Sequence, residues 1–432
     1  ASEFIEQSTE GFQEFKNDVE EISWESIEAE SGVEREIIED IARQYAGANN
    51  VVFAWAMGLT HHAHGVENVQ SIVNLALLRG MVGREKAGLL PLRGHSNVQG
   101  IGSVGVTPKL KKAVFENIHS MYPVTLPDQP GLDTLSCMEG ASEGKFDFAW
   151  NLGGNLYGSN PDARFAEKAL AEIDFVLYMN TTLNQGHFRG RGKTTLILPV
   201  LARDEEQQPT TQESMFSYVR MSDGGQTRYP GPRSEVSIIA EVADRVLPNG
   251  PIPWKELQET RNIRKVIGAV VPGFEKLQDM DETREEFHIA GRIMHSPRFP
   301  TADGKARFTV CSSGSENSGQ EKNHFKLMTV RSEGQFNTVV YDKFDRYRGV
   351  RTRDVIFMHP QDIKELGYQE GARVVVKNST GQLEGQKIVP YPIKPGNIMM
   401  YYPEANILVP RSIDEKSRTP AFKSVDVWVN AS

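Results

Sequence analysis

The sequence predicts α/β domains followed by a closed six-stranded β-barrel. In the first half of the chain, short apolar runs end in polar loops that contain glycine, and helical periodicity follows these loops. In the last part, about six short apolar runs share roughly 110 residues with one clear helix, a spacing typical of a barrel. The 432 residues are enough for several domains, each with its own core.

The first strand–loop–helix unit is expected between residues 33 and 80. A helix over residues 33–46 precedes Val51–Met57, an apolar run of strand length that ends at Gly58. The polar residues 60–65 follow, and helical periodicity then runs from Val66 to Leu77. Ligands of such units usually bind beyond the carboxyl ends of the strands.

A second unit of the same kind is expected between residues 146 and 246. The strand Phe146–Leu152 ends at a glycine loop, and the strand Phe175–Met179 ends at the polar segment Asn180–Asn184. A helix between them, a third strand and a further helix are expected over residues 163–173, 195–199 and 234–246. The tripeptide Phe-Ala-Trp occurs at 53–55 and at 148–150, which fits two related domains and equally fits chance.

The C-terminal part is expected to form the barrel. The mixed segment from about residue 250 to 320, dense in Pro, Gly and Ser near 295–319, predicts a connection between domains. Gly367 is expected to end the one clear helix, residues 360–366. The six strands are expected at residues 326–330, 354–358, 372–376, 383–389, 397–402 and 425–429. These boundaries divide the chain into domains at residues 1–105, 106–320 and 321–432.

Composition argues against several classes of protein. A net charge of −9 argues against a nucleic-acid partner, and no apolar run reaches the length of about 18 residues that a membrane span requires. Cys137 and Cys311 form no Cys-x-x-Cys motif, so neither a disulfide framework nor an iron–sulfur cluster ligated within this chain is expected. His61, His62 and His64 match no common zinc spacing, and we expect them to line or underlie a pocket.

The stretch from Gly88 to Gly100 carries a dense set of directional polar groups. Arg93 offers a planar fork for a carboxylate or phosphate, and His95, Asn97 and Gln99 add donors and acceptors. We expect an irregular recognition loop here, neither strand nor helix. The glycines at 100, 102 and 105 match a dinucleotide-binding fingerprint, but the polar residues before them cannot form the buried strand that this motif needs.

Several of these segments together resemble the molybdopterin oxidoreductases, and most closely their formate-dehydrogenase-like alpha subunits. The likeness includes the stretch Leu92-Arg-Gly-His-Ser-Asn-Val-Gln-Gly100, together with residues 57–66, 74–80, 329–338 and 403–423, and it covers nearly the whole chain. It implies Rossmann-like α/β domains and a C-terminal six-stranded double-psi β-barrel that binds a molybdopterin dinucleotide.

The resemblance also implies a bis(molybdopterin guanine dinucleotide) cofactor with molybdenum or tungsten. Arg93 would lie over the metal and hold the substrate carboxylate, and His95 is a candidate either for proton handling or for simple hydrogen bonding. Asn97, Gln99 and Gly100 would contact the pterin end of the cofactor. The other cofactor-binding residues that it implies are Gly153, Gly154, Asn155, Asn180, Thr182, Asn184, Arg331, Ser332, Gly334, Gln335, Asn337, Asn406, Phe422 and Lys423.

The activity implied is oxidation of formate to carbon dioxide. The alternatives are reduction of another small oxyanion at the same kind of centre, or a cofactor-binding subunit without catalytic activity. Neither cysteine matches the metal-ligating Cys or selenocysteine of this family, so we expect an enzyme whose metal ligand and [4Fe–4S] cluster lie in a further N-terminal half. The expected partners are a small substrate such as formate and that half or an electron-transfer subunit. The acidic, disulfide-free composition favours the cytoplasm.

Overall fold

The computed structural model describes residues 2–311, 321–336 and 342–432. Its helices and strands up to residue 200 are α1 (Ser2–Ser8), β1 (Thr9–Glu10), α2 (Phe12–Glu21), α3 (Trp24–Ser31), α4 (Arg35–Gly47), β2 (Val52–Trp55), α5 (Met57–Thr60), α6 (Gly65–Leu78), β3 (Gly88–Pro91), α7 (Val98–Ser103), α8 (Lys112–Met121), α9 (Thr134–Ser142), β4 (Phe148–Leu152), α10 (Leu156–Ser159), α11 (Ala163–Ala171), β5 (Phe175–Asn180), α12 (Gly186–Arg189) and β6 (Thr194–Pro199).

The remaining helices and strands follow residue 200. They are β7 (Thr210–Glu213), β8 (Tyr218–Ser222), α13 (Glu235–Val246), α14 (Thr260–Val270), α15 (Met280–Thr283), β9 (Phe287–His288), β10 (Ala306–Arg307), β11 (His324–Val330), β12 (Val355–Met358), α16 (Pro360–Glu365), β13 (Arg373–Lys377), β14 (Gln382–Pro390), β15 (Asn397–Tyr401) and β16 (Val425–Ala431). No helix in the described ranges is long and apolar enough to cross a membrane.

The chain forms two compact units, each built from separated stretches of sequence. The first unit comprises Ala1–Leu92, Gly291–Lys322 and Arg411–Ser424. The second unit comprises Arg93–Ala290, Asn323–Pro410 and Val425–Ser432. The division of the chain at residues 105 and 320 stays a prediction.

In the first unit, β2 and β3 pair in parallel and α5 and α6 connect them. This pairing corrects the expectation of an irregular loop from Gly88, because Leu89 and Leu90 lie opposite Phe53 and Ala54 and form a strand. Strand formation depends on the neighbouring strand, and here β2 supplies the pairing partner. The polar part of the stretch begins only after β3.

The α/β part of the second unit is a parallel sheet of three strands in the order β4–β5–β6. Helix α11 connects β4 and β5, and its alanines at 163, 166 and 169 are buried together with Leu170. These positions recur every three or four residues, so one face of the helix packs on the sheet. Val176 and Tyr178 of β5 belong to the same buried core.

A second sheet in this unit, β7–β8–β9, is antiparallel and was not expected from the sequence. Its core includes Val219 and Phe287 from the sheet and Val270, Phe274 and Leu277 from α14 and the turn after it. Strand β7 is the surface on which the short helix α7 packs.

The six C-terminal strands form a closed barrel in the order β11–β15–β12–β14–β13–β16. The pairs β11–β15 and β12–β14 are parallel, and the other four pairs are antiparallel. All four residues of β12 are buried in the barrel. Pro360 is in the first turn of α16, and Gly367 follows the helix with a φ of 75°. The predicted fold class, α/β domains followed by a six-stranded barrel, is therefore confirmed.

Candidate functional site

The Arg93 loop, residues 93–97, leads into α7 and is fastened to strand β7. The Asn97 side-chain oxygen accepts a hydrogen bond of 3.0 Å from the Glu213 amide. A Cβ built at Gly100 would overlap Asn97 Oδ1 and lie 3.1 Å from the Glu213 nitrogen, so a side chain there would displace Asn97 from its hydrogen bond. The Arg93 amide points at Met215 Sδ, 3.4 Å away. Helix α7 corrects the expectation that this whole stretch is irregular.

The polar side chains that the sequence predicts to be functional in this loop are accessible. Arg93 and His95 are exposed, and Gln99 is half-buried. Within the described residues, no carboxylate lies within ion-pair distance of the Arg93 guanidinium. The His95 ring lies 5.6 Å from the ring of Phe336, which belongs to the loop after barrel strand β11. The loop after β11 therefore contacts the Arg93 loop at His95.

A second cluster of polar groups lies at the carboxyl ends of β4 and β5. Gly153 and Gly154 have φ values of 66° and 74°, and a Cβ built on either would meet only open space. The amide groups of Asn180 and Asn184 both donate to the Gly154 carbonyl at 3.0 Å. Asn155 Oδ1 accepts a 2.8 Å hydrogen bond from the Gly158 amide at the start of α10. Of the residues predicted here, Thr182 lies apart on the exposed turn.

Several polar atoms of this cluster are buried without a hydrogen-bond partner among the described residues. They are two nitrogens, Asn155 Nδ2 and His187 Nε2, and two acceptor oxygens, Asn180 Oδ1 and Asn406 Oδ1. Buried polar atoms are almost always satisfied by protein, water or ligand. Free donors and acceptors beside an accessible glycine backbone match a polar group such as a nucleotide, so the residues present fit a dinucleotide cofactor.

His187 belongs to the same cluster, although sequence reasoning missed it. Its Nδ1 accepts a hydrogen bond of 3.0 Å from the backbone N–H of Asn184. This bond fixes the neutral tautomer, which carries its hydrogen on Nε2. Burial lowers the pKa of His187. The ring packs edge-on against Tyr178, 5.0 Å between centroids, and the Tyr178 hydroxyl donates to the Gly190 carbonyl at 2.5 Å. Burial raises the pKa of Tyr178 to about 12.

The barrel loop after β11 holds another group of predicted residues. The Gln335 side-chain oxygen accepts a hydrogen bond of 3.0 Å from the Ser332 backbone amide, and the Gln335 side-chain nitrogen donates to the Tyr402 carbonyl at 2.5 Å. Arg353, which sequence reasoning missed, bonds to Gln335 at 3.1 Å and to both oxygens of Glu404 at 2.7 and 3.0 Å. The Arg353 guanidinium therefore holds this loop in place through its hydrogen bond to Gln335.

The other predicted residues of this loop differ in how they are placed. The Arg331 guanidinium lies 4.8 Å from the centre of the Tyr402 ring, a cation–π distance. Gly334 has a φ of 67°, a left-handed conformation that favours glycine. Asn337 lies outside the described residues.

Asn406 connects the barrel with the strand-end cluster. It is fully buried, and its amide donates to the carbonyls of Gly158 and Asn160 at 2.8 and 3.0 Å. The Asp162 amide donates to the Val409 carbonyl at 2.8 Å nearby. The structure therefore brings Asn406, Asn155, Asn180 and Asn184 into one polar region.

Two predicted cofactor-binding residues belong to the first unit. The Phe422 ring lies 5.5 Å from the His61 ring, and the Lys423 amide donates to the His61 carbonyl at 3.0 Å. His62 contacts the Gly58 carbonyl at 2.8 Å, and His64 lies 3.2 Å from Glu67. The three histidines thus have separate partners.

The fold and these clusters define the class of protein: an α/β and β-barrel protein with a buried polar region at the strand ends of its second unit. Residues 12–202 match the family described as molybdopterin oxidoreductase, and residues 325–426 match the molydopterin dinucleotide binding domain. The chain belongs to the molybdopterin oxidoreductase family and carries a molybdopterin dinucleotide-binding domain.

Similar proteins include two curated relatives and one solved structure. The chain is 33% identical to protein YdeP of Escherichia coli K12, with all of the chain aligned to 59% of that protein's length. It is 26% identical to the F420-dependent formate dehydrogenase subunit alpha of Methanocaldococcus jannaschii, with 98% of the chain aligned to 64% of that subunit. The structure of acetylene hydratase from Pelobacter acetylenicus shares the fold, with a TM-score of 0.71, 14% identity and coverage of 100% of this chain and 68% of that one.

Proposed function

We propose that this chain is part of a molybdopterin-dependent oxidoreductase that oxidises formate to carbon dioxide. The observation that carries the proposal is Arg93, an exposed guanidinium without a carboxylate partner among the described residues, on a loop fastened to β7. The formate dehydrogenase subunit among its relatives supports the choice of substrate. The electron acceptor, the metal-bearing remainder of the enzyme and its cytoplasmic location with a [4Fe–4S] cluster are parts of the same proposal.

In this reaction, the C–H bond of formate breaks, and carbon dioxide, one proton and two electrons leave. A bound molybdenum or tungsten pterin centre supplies the two-electron acceptor. Arg93 binds the formate carboxylate through two charge-assisted hydrogen bonds and thereby fixes the direction of the C–H bond. His95, an exposed ring on the same loop, takes the released proton and passes it to solvent in this proposal.

Three groups of residues would hold the cofactor. Asn97, Gln99 and Gly100 would contact its pterin end, and the strand-end amides of the second unit, with their free donor and acceptors, would bind a guanine nucleotide. The rest of the dinucleotides would be bound by Arg331, Ser332, Gly334, Gln335, Asn337, Asn406, Phe422 and Lys423. Neutral amides and backbone groups suit this task because they bind guanine edges and phosphates without adding charge.

The proposal is tested on the longest natural form of the protein. Metal and pterin analysis should find molybdenum or tungsten with two pterins per chain, and formate should reduce a viologen dye. Arg93→Lys keeps the charge but loses the fork, which we expect to lower kcat/KM for formate by about 10- to 150-fold, the equivalent of about 1.5–3 kcal/mol. Arg233→Lys is the matched control, because Arg233 pairs with Glu241 on the surface at 2.7 Å.

The outcomes separate the alternatives. Pterin and metal without formate turnover would replace formate oxidation by reduction of another oxyanion, with nitrate as the first substrate to assay. A full-length protein with neither pterin nor metal would overturn the redox proposal altogether. Unchanged turnover in Arg93→Lys would remove Arg93 from the substrate site.

A further inference from the structure

Arg203 follows strand β6 and reaches the Arg93 loop. Its guanidinium donates to three neutral side chains: Nη1 to Ser96 Oγ at 3.3 Å and to Gln212 Oε1 at 2.6 Å, and Nη2 to Ser222 Oγ at 3.4 Å. Ser96 belongs to the Arg93 loop, whereas Gln212 and Ser222 belong to the hairpin β7–β8. One cation therefore joins the predicted substrate loop to the sheet beneath it.

The charge of Arg203 has no counter-charge among the described residues. The nearest acidic residue in sequence, Asp204, is engaged by Arg228 through two bonds of 2.7 and 2.9 Å. The acceptors around Arg203 are two hydroxyls and one amide, which stabilise a cation less than a carboxylate does. Arg203 thus differs from Arg228 and Arg233 in the same unit, which have acidic partners.

A second cation lies on the same face of the hairpin. Arg220 is directly opposite Gln212 in the β7–β8 register and two residues before Ser222, so these three side chains project on one side of the sheet. Burial and the charge of Arg220 lower the pKa of Arg203. Glu286 offsets Arg220 in part, at 3.8 Å. Two guanidiniums that repel each other in this way are stabilised when an anion binds between them.

We propose that Arg203, Ser96 and Arg220 form a second oxyanion-binding site beside Arg93. The site takes a small carboxylate or phosphate group, which the Arg203 fork and the Ser96 hydroxyl can bind together. Two sources share this chemistry: free carboxylate substrate on its way to Arg93, and a phosphate of the cofactor. Anion binding needs no electron transfer, so this inference stands or falls separately from the proposed redox activity.

The experiment measures binding of two named probes to the full-length protein at constant ionic strength. Sodium formate is titrated by saturation-transfer NMR, and sodium pyrophosphate by calorimetry. Arg203→Gln should raise the Kd of the bound probe by about tenfold or more, since it removes the fork and its charge. Arg233→Gln changes the net charge equally and should leave Kd within about twofold. Arg93→Gln separates this site from the Arg93 site.

Each outcome decides the proposal. Saturable formate binding that weakens in Arg203→Gln supports the site and identifies free carboxylate as its ligand, and the same result with pyrophosphate identifies the cofactor phosphate. No saturable binding of either probe, or equal affinity in Arg203→Gln and the wild type, overturns the proposal, as does binding lost only in Arg93→Gln. If circular dichroism shows that Arg203→Gln is unfolded, Arg203→Lys replaces it, and an unchanged Kd in that variant overturns the proposal as well.

Discussion

The attachment of the Arg93 loop to β7 predicts that two glycines in one short helix respond oppositely to alanine. Gly100 and Gly102 both lie in α7. A Cβ at Gly100 would displace the Asn97 oxygen that accepts the Glu213 amide, whereas a Cβ at Gly102 meets nothing within 4 Å. Neither glycine has a positive φ, so backbone strain does not separate the two positions.

The expected magnitudes follow from these contacts. Alanine improves helix propensity at either position by about 0.5–1 kcal/mol. At Gly100 this gain is outweighed, because the lost hydrogen bond leaves the Glu213 amide without its Asn97 acceptor, which costs about 1–3 kcal/mol. Gly100→Ala should therefore destabilise the protein by up to about 2 kcal/mol, while Gly102→Ala should stabilise it slightly.

Thermal and urea unfolding of the two variants measure this difference. Gly100→Ala should lower Tm by up to several degrees, at about 2–4 °C per kcal/mol for a domain of this size. Asn97→Ala serves as a second probe, and combining it with Gly100→Ala should cost little more than Asn97→Ala alone, since both changes remove the same bond. Equal stability of Gly100→Ala and Gly102→Ala would refute the reasoning.

Three further predictions concern buried polar groups. The neutral His187 ring has a lowered pKa, so the unfolded chain binds the proton more readily and stability should fall as pH drops below about 6.5; His187→Asn keeps an acceptor at the Nδ1 position and should flatten this dependence in urea melts. Asn406→Asp removes both amide donors and buries a charge, which should cost about 3 kcal/mol or more and be visible as a lower urea midpoint. Asp281→Asn leaves the buried Arg264 guanidinium without its counter-charge, at a cost of about 3–5 kcal/mol; since Arg264 lowers the pKa of Asp281, the wild type should lose stability as pH falls below about 3.8, and similar melts of the two proteins at pH 7 would contradict this.

The sequence predicted the elements whose pattern is regular. Strand β12 is four apolar residues in a row, and α16 has proline at its start and glycine after its end, so both were found close to their true bounds. Hairpin β7–β8 was missed because Thr210–Glu213 is wholly polar and becomes a strand through its pairing and through the buried face of Val219. Tertiary contacts override local propensity at such positions.

Among the site residues, too, those that follow a regular pattern were predicted and the others were missed. Asn155, Asn180 and Asn184 follow apolar runs, and the rule that parallel strands end at one edge was enough to place them together. His187 and Arg203 lie at positions without a pattern, and only the three-dimensional partners of their ring and guanidinium reveal them.

The hydrogen bonds from Asn406 to Gly158 and Asn160, with the Asp162–Val409 bond, join segments that are more than 240 residues apart in sequence. The two regions that match separate family models, residues 12–202 and 325–426, are thus joined by buried hydrogen bonds. A protease that cut the chain between them would leave the fragments associated, so gel filtration would still report a single particle and only denaturation would reveal the nick. For the same reason, exchanging this barrel for that of a relative would require the residues that form these hydrogen bonds to be transferred with it.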